Sequence, residues 1–136
     1  MRIRLLVLTF LLIFSACAPA ADTLSMAPLS DMPAEVQSAS VTVQDAYRFA
    51  VANPDLTKAL PCYCGCGSMG HTSNYACYVQ SENDGSVTFD AHALGCSICV
   101  DITIDAMRMT REGLPLDEIR AEIDNRYRQF GPSNMP

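Results

Sequence analysis

The chain has 136 residues, fifteen acidic and nine basic, and a formal charge of −6 at neutral pH. That balance excludes nucleic acid as a partner, because gripping phosphates needs clustered Lys and Arg. No phosphate-cradling glycine loop and no GxSxG nucleophile turn occurs either, which removes those enzyme classes.

Arg2 and Arg4 precede an apolar run, Leu5 to Phe14, followed by Ser15-Ala16-Cys17. This is the pattern of a secretory signal, too short for the roughly 20 residues of a membrane-spanning helix. Small residues just before a cysteine resemble the lipobox of bacterial lipoproteins. Residues 1–16 are therefore read as a signal peptide and Cys17 as the lipidated N-terminus. Phe14 stands where that pattern has Leu, Val or Ile, so cleavage near Ala20-Ala21 without lipidation is the alternative. Without residues 1–16, seven basic residues face fifteen acidic ones, a formal charge of −8. Residues 17–40 are rich in Ala, Ser, Pro and Met, lack periodicity, and read as a lipid-anchored flexible tether. One cysteine-rich helical metal-binding domain is expected over 41–132, of a size at which metals or disulfides supplement a modest core.

Within it, Thr42 with Asp45 three residues on resembles a capping box. Val43, Ala46, Tyr47, Ala50 and Val51 then share one face of a helix running to about Ala52. Asn53-Pro54 starts a short second helix, with Leu56 and Leu60 four apart and Pro61 as its stop. Gly65 to Asn74 is a loop. Tyr75–Gln80 and Ser86–Asp90 flank the turn signal Asn83-Asp84-Gly85 and predict a small hairpin. Ala91 to Arg111 alternates like a strand at Ile98, Val100, Ile102 and Ile104, but its length and its ending at Gly113 favour a buried helix. Pro115 opens an amphipathic helix with Leu116, Ile119, Ile123, Tyr127 and Phe130 on one face, and Gly131-Pro132 stops it. The expected fold is mainly α: a small helical domain with a cysteine-rich loop and one short β-hairpin.

The chemistry is concentrated in Pro61-Cys62-Tyr63-Cys64-Gly65-Cys66-Gly67. Thiols at every second position reach each other as disulfides only with strain, whereas on an extended segment they converge on a shared ion. A helix capped by Asp90 places His92, Cys96 and Cys99 on one narrow stripe in its first turns, where the helix dipole favours thiolate. Gly95 weakens such a helix, which can instead begin at Cys96. His71 and Cys77 lie between the two clusters, so every histidine falls among the cysteines. The candidate ligands are Cys62, Cys64, Cys66, His71, Cys77, His92, Cys96 and Cys99, with Met69 as an additional soft donor. Met107 and Met109 read as core filling.

Copper(I) takes two or three sulfurs, tolerates histidine and is shared readily among several thiolates, which suits CxCxC. Zinc, the alternative, prefers four ligands from paired knuckles, and only one CxxC is present. An iron-sulfur cluster ranks third, because it would need export after assembly. Two other classes compete. Six cysteines left after Cys17 fit three disulfides in an extracytoplasmic interaction module, although three bridges would crowd onto a five-residue segment. Cys96-Ser97-Ile98-Cys99 also matches a thiol-disulfide oxidoreductase motif, but the expected βαβ pattern is missing.

Asn53-Pro54, Leu60-Pro61-Cys62-Tyr63-Cys64-Gly65-Cys66-Gly67, His71, Cys77, His92 and Cys96-Ser97-Ile98-Cys99 together resemble the PCYCGC-motif family of bacterial lipoproteins. The resemblance covers roughly Tyr47 to Tyr127. It implies an exported, lipid-anchored protein whose cysteines act as a unit, and it implies no activity. The resulting expectation is a non-enzymatic extracytoplasmic lipoprotein on a membrane, buffering a soft metal or exchanging it with a donor or acceptor protein.

Overall fold

A computed structural model describes residues 24–135; the signal peptide expected at 1–16 and lipidation at Cys17 lie outside the described residues. The tether expected over 17–40 is corrected where it is described. Leu29–Asp31 forms a 3₁₀ turn and Ala34–Gln37 a short helix, α1, with Met32 and Val36 only 4 % and 1 % exposed. Arg48 Nε donates to the Ala27 carbonyl at 2.8 Å, and Gln44 Nε2 donates to the carbonyls of Gln37 and Ala39. Two apolar residues four apart in an Ala/Ser/Pro stretch give too little periodicity to detect, yet both enter the core. The folded unit therefore begins before Val41.

The longer helix α2 spans Val41–Ala52 and buries Ala46, Tyr47, Phe49 and Ala50. Its N-cap residue is Ser40, with no side-chain cap bond, so Thr42 lies in the first turn rather than capping it. Asn53-Pro54 reverses the chain into α3, Pro54–Lys58. The cysteine-rich segment then crosses two 3₁₀ turns, Cys66–Met69 and Tyr75–Cys77. Strands β1, Val79–Asn83, and β2, Ser86–Phe89, pair antiparallel around Asp84 and Gly85, both at positive φ, as a tight hairpin turn requires.

The helix expected from Ala91 to Arg111 is broken. A single turn, α4 (His92–Gly95), is followed by an extended Cys96 (φ −122°, ψ 100°) and then by α5, Ser97–Arg111. Gly95 ends the first piece, and Cys96 becomes the N-cap of the second. At the far end Gly113 (φ 78°) lets Leu114 N–H reach the Met109 carbonyl and its own N–H reach Thr110, closing α5. Pro115 then leads into α6, Leu116–Tyr127, which buries Ile119, Ile123 and Tyr127. Leu116 and Phe130, expected on that face, are 43 % and 55 % exposed.

Helix α5 packs on α2 along one side and on α6 along the other. Tyr47 from α2 meets Tyr78 edge-on at 4.9 Å between ring centres, and this core closes around the thiols. Among the described residues the fold is mainly α with one two-stranded hairpin, as expected.

Candidate metal centre

Pro61 ends the helical region and delivers Cys62 into the core, where it is 0 % exposed. Cys62, Cys64 and Cys66 alternate along the chain, and their sulfurs lie within 4.8 Å of one another. Gly65, at φ 81°, then turns the chain so that Cys66 enters its 3₁₀ turn and is buried in its turn. The Cys62 Sγ lies 3.2 Å from Cys99 and 3.5 Å from Cys64, Cys64 lies 3.4 Å from Cys99, and Cys66 lies 3.7 Å from Cys77. All six described cysteines are free thiols. A disulfide would bring two sulfurs to about 2.0 Å. Thiolates sharing one tetrahedral ion at 2.3 Å stand about 3.8 Å apart, close to the spacings here.

The eight side chains singled out from the sequence fall into four overlapping groups: Cys64/His92/Cys96/Cys99, Cys66/His71/Cys77/His92, Cys62/Cys77/Cys99 and Cys62/Cys64/Cys66. Within each group the donor atoms lie within 4.8 Å of one another. The broken helix does not disperse His92, Cys96 and Cys99; the kink at Cys96 turns its thiol toward the same point. Met69 is 57 % exposed and stands apart from the buried thiols.

His71 is the most informative ligand candidate. Its Nε2 faces Asp90 Oδ2 at 3.4 Å, while Nδ1 is buried without a hydrogen-bond partner among the described residues. An orphaned buried nitrogen costs about 1–3 kcal/mol, and a metal ion would remove that cost. A carboxylate behind an imidazole is also the usual way a metal-binding histidine is aimed and its basicity raised. The His71 and His92 rings meet edge-on at 5.0 Å, and His92 Nε2 lies 3.4 Å from Cys64 Sγ.

The thiols influence one another electrostatically. Hydrogen bonds from Cys77 and Cys99 hold the Cys62 thiol well below its ordinary value. Donating to Cys62 pushes Cys77 and Cys99 up, and burial raises Cys64 and Cys66. A soft cation bound here displaces protons from these neighbours, because metal ligation requires thiolates.

Two structural supports were not legible in the sequence. Asn134 Oδ1 accepts from Cys62 N–H at 2.7 Å, and Asn134 N–H donates to the Cys62 carbonyl at 3.0 Å. Its Nδ2 reaches the Ser73 carbonyl at 3.1 Å and Cys66 Sγ at 3.5 Å. The domain boundary expected at 132 is thus corrected, since the tail beyond it clamps the motif. A lone Asn in a Pro/Ser segment carries no signal of this. The second support is Asp90, expected from the sequence as a helix cap. Its Oδ1 does accept from His92 N–H at 2.8 Å, but Oδ2 faces His71. Below the site, Asn74 Nδ2 and Tyr78 OH donate to the Cys99 carbonyl, and Thr103 Oγ1 donates to Asn74 Oδ1 at 2.7 Å. This buried network fixes the first turn of α5.

Fold and site together define a small helical protein built around a cysteine-histidine centre able to hold a metal ion. The chain belongs to the family described as "Protein of unknown function with PCYCGC motif", whose profile matches residues 19–135. Comparison with curated proteins and with solved structures gave no match.

Proposed function

We propose that this protein is an exported, lipid-anchored binder of a soft metal ion, copper(I) before zinc, which it buffers or hands to a partner protein. The observation that carries the choice is the sulfur-only triad Cys62, Cys77 and Cys99, in which every member is buried. Three thiolates in an apolar pocket match the softness and low coordination number of copper(I). Cys64, Cys96 and His92 are only partly buried, which leaves one edge of the centre open for exchange with a donor or acceptor. Export and membrane anchoring rest on the signal-like residues 1–16 and on Cys17.

A zinc ion is the second reading, favoured by one group: Cys64, Cys96, Cys99 and His92 form a Cys₃His set of the kind that closes around structural zinc. Native mass spectrometry of the full chain, purified without air and offered each ion, decides between them. Copper retained against a chelator supports the proposal. Zinc retained in preference shifts it to the second reading, and a metal-free species that has lost six hydrogens replaces both with a disulfide-stapled module. Cys77→Ser, which removes one thiol of the triad, should weaken copper retention while the far-ultraviolet helical signal persists; a variant that holds copper as tightly as wild type removes Cys77 from the site.

A further inference from the structure

Six thiols and two imidazoles are more donors than one ion takes, since copper(I) uses two or three and zinc four. They divide into two quartets, Cys64/His92/Cys96/Cys99 and Cys66/His71/Cys77/His92, which share only His92. The His92 Nε2 lies 3.4 Å from Cys64 Sγ, which assigns it to the first. Cys62 belongs to neither quartet. It forms one triad with Cys77 and Cys99 and another with Cys64 and Cys66, so each triad joins one thiol from each quartet.

We infer that the centre holds two copper(I) ions, each bound by two donors of one quartet, with the Cys62 thiolate bridging them as the third ligand of both. The inference rests on the copper reading above and adds its stoichiometry and its bridging ligand. A thiolate sulfur retains lone pairs after binding one ion, so bridging requires no further donor. His71 supplies an independent reason. It lies in the second quartet alone, backed by Asp90, and its Nδ1 has no partner among the described residues. An ion confined to the first quartet leaves that buried nitrogen unsatisfied; an ion in the second satisfies it. The first quartet in turn contains the partly exposed Cys64 and Cys96, so the second ion sits in the more enclosed half.

The test is copper loading of the full chain, purified without air, with copper(I) supplied in bathocuproine disulfonate as competing chelator. Bound metal is counted by elemental analysis, and its neighbours are read by X-ray absorption. Two coppers per chain with a copper–copper scattering path are expected. Cys66→Ser/His71→Ala should halve the count to one and remove that path while the first quartet stays filled. Cys62→Ser should also lose the path; because Cys62 is buried and clamped, the double variant keeps the test valid even where Cys62→Ser fails to fold. One copper per wild-type chain without a copper–copper path overturns the two-ion centre and leaves single-ion binding standing. No bound copper overturns both.

Discussion

Asp90 concentrates several roles in one residue. Its carboxylate faces His71 and caps the His92 turn, its carbonyl accepts from Tyr47 OH at 2.7 Å, and its own N–H donates to the Tyr78 carbonyl at 2.8 Å. Asp90→Asn keeps an oxygen for the His92 N–H but removes the negative charge behind His71. Copper affinity measured by chelator competition should fall about tenfold to a hundredfold with the helical signal unchanged. An unchanged affinity would remove His71 from the ligand set. Tyr63, between the first two motif cysteines, points away from them and donates to Asp124 Oδ1 on α6 at 2.5 Å. Burial, reinforced by that bond, pushes its hydroxyl up from 10.0 to about 12. Tyr63→Phe should cost about 1–2 kcal/mol at neutral pH. The folded hydroxyl ionises later than the unfolded one, so its contribution is complete below pH 10 and disappears as pH rises through about 12. Denaturation of wild type and variant side by side should show the gap closing in that window; a gap that widens there refutes the assignment.

At the level of elements, the tail after α6 acts as a clasp on the motif. A Cβ on Gly131 would stand 2.7 Å from the Tyr63 carbonyl oxygen, closer than such atoms approach, and that oxygen belongs to backbone that cannot swing aside. Gly131→Ala should therefore cost about 1–3 kcal/mol. By lifting Asn134 off Cys62 it should also quicken copper release to a chelator. Melting and release rates that both match wild type would show the clasp to be idle. In its local sequence Gly131 reads only as a helix stop, because its close approach is to residues far away along the chain. Helices α2, α3 and α6 and the hairpin turn were legible because their signals are local: 3.6-residue periodicity, Asn-Pro, and Asp-Gly; the first strand, expected at Tyr75–Gln80, lies instead at Val79–Asn83, and Tyr75–Cys77 is a 3₁₀ turn. The break at Cys96 was only half legible. Gly95 weakens a helix there, but nothing local states that an extended Cys96 aims its thiol better than a continuous helix would. All eight donor candidates were visible by residue type and spacing, whereas Asp90 facing His71 and Asn134 holding Cys62 are tertiary facts that no window of sequence contains.

For the molecule as a whole, the centre is embedded in a core that has its own means of cohesion. Ile102, Ala106 and Met109 on α5 pack with Ala46, Tyr47 and Ala50 of α2 and with Ile119 and Ile123 of α6, and the Asn74–Thr103–Tyr78 network holds α5 from beneath. Stripping the metal should lower the melting temperature without abolishing the fold. A ligand at a hundred times its dissociation constant adds about 2.7 kcal/mol, and chelation removes that amount. Circular dichroism before and after chelation in reducing buffer checks this. A chain that unfolds outright on metal loss would place it with domains whose folding depends on the ion.

The clamp on Cys62 also sets an order in time. His71 follows Cys62 by nine residues, His92 and the CxxC pair by thirty or more, and the asparagine that seals the motif by 72. Contacts this distant along a chain form late and slowly. Until the last segment arrives, the motif backbone and the Cys66 sulfur lack the Asn134 hydrogen bonds, so a nascent or truncated chain is the form most open to wrong bridges.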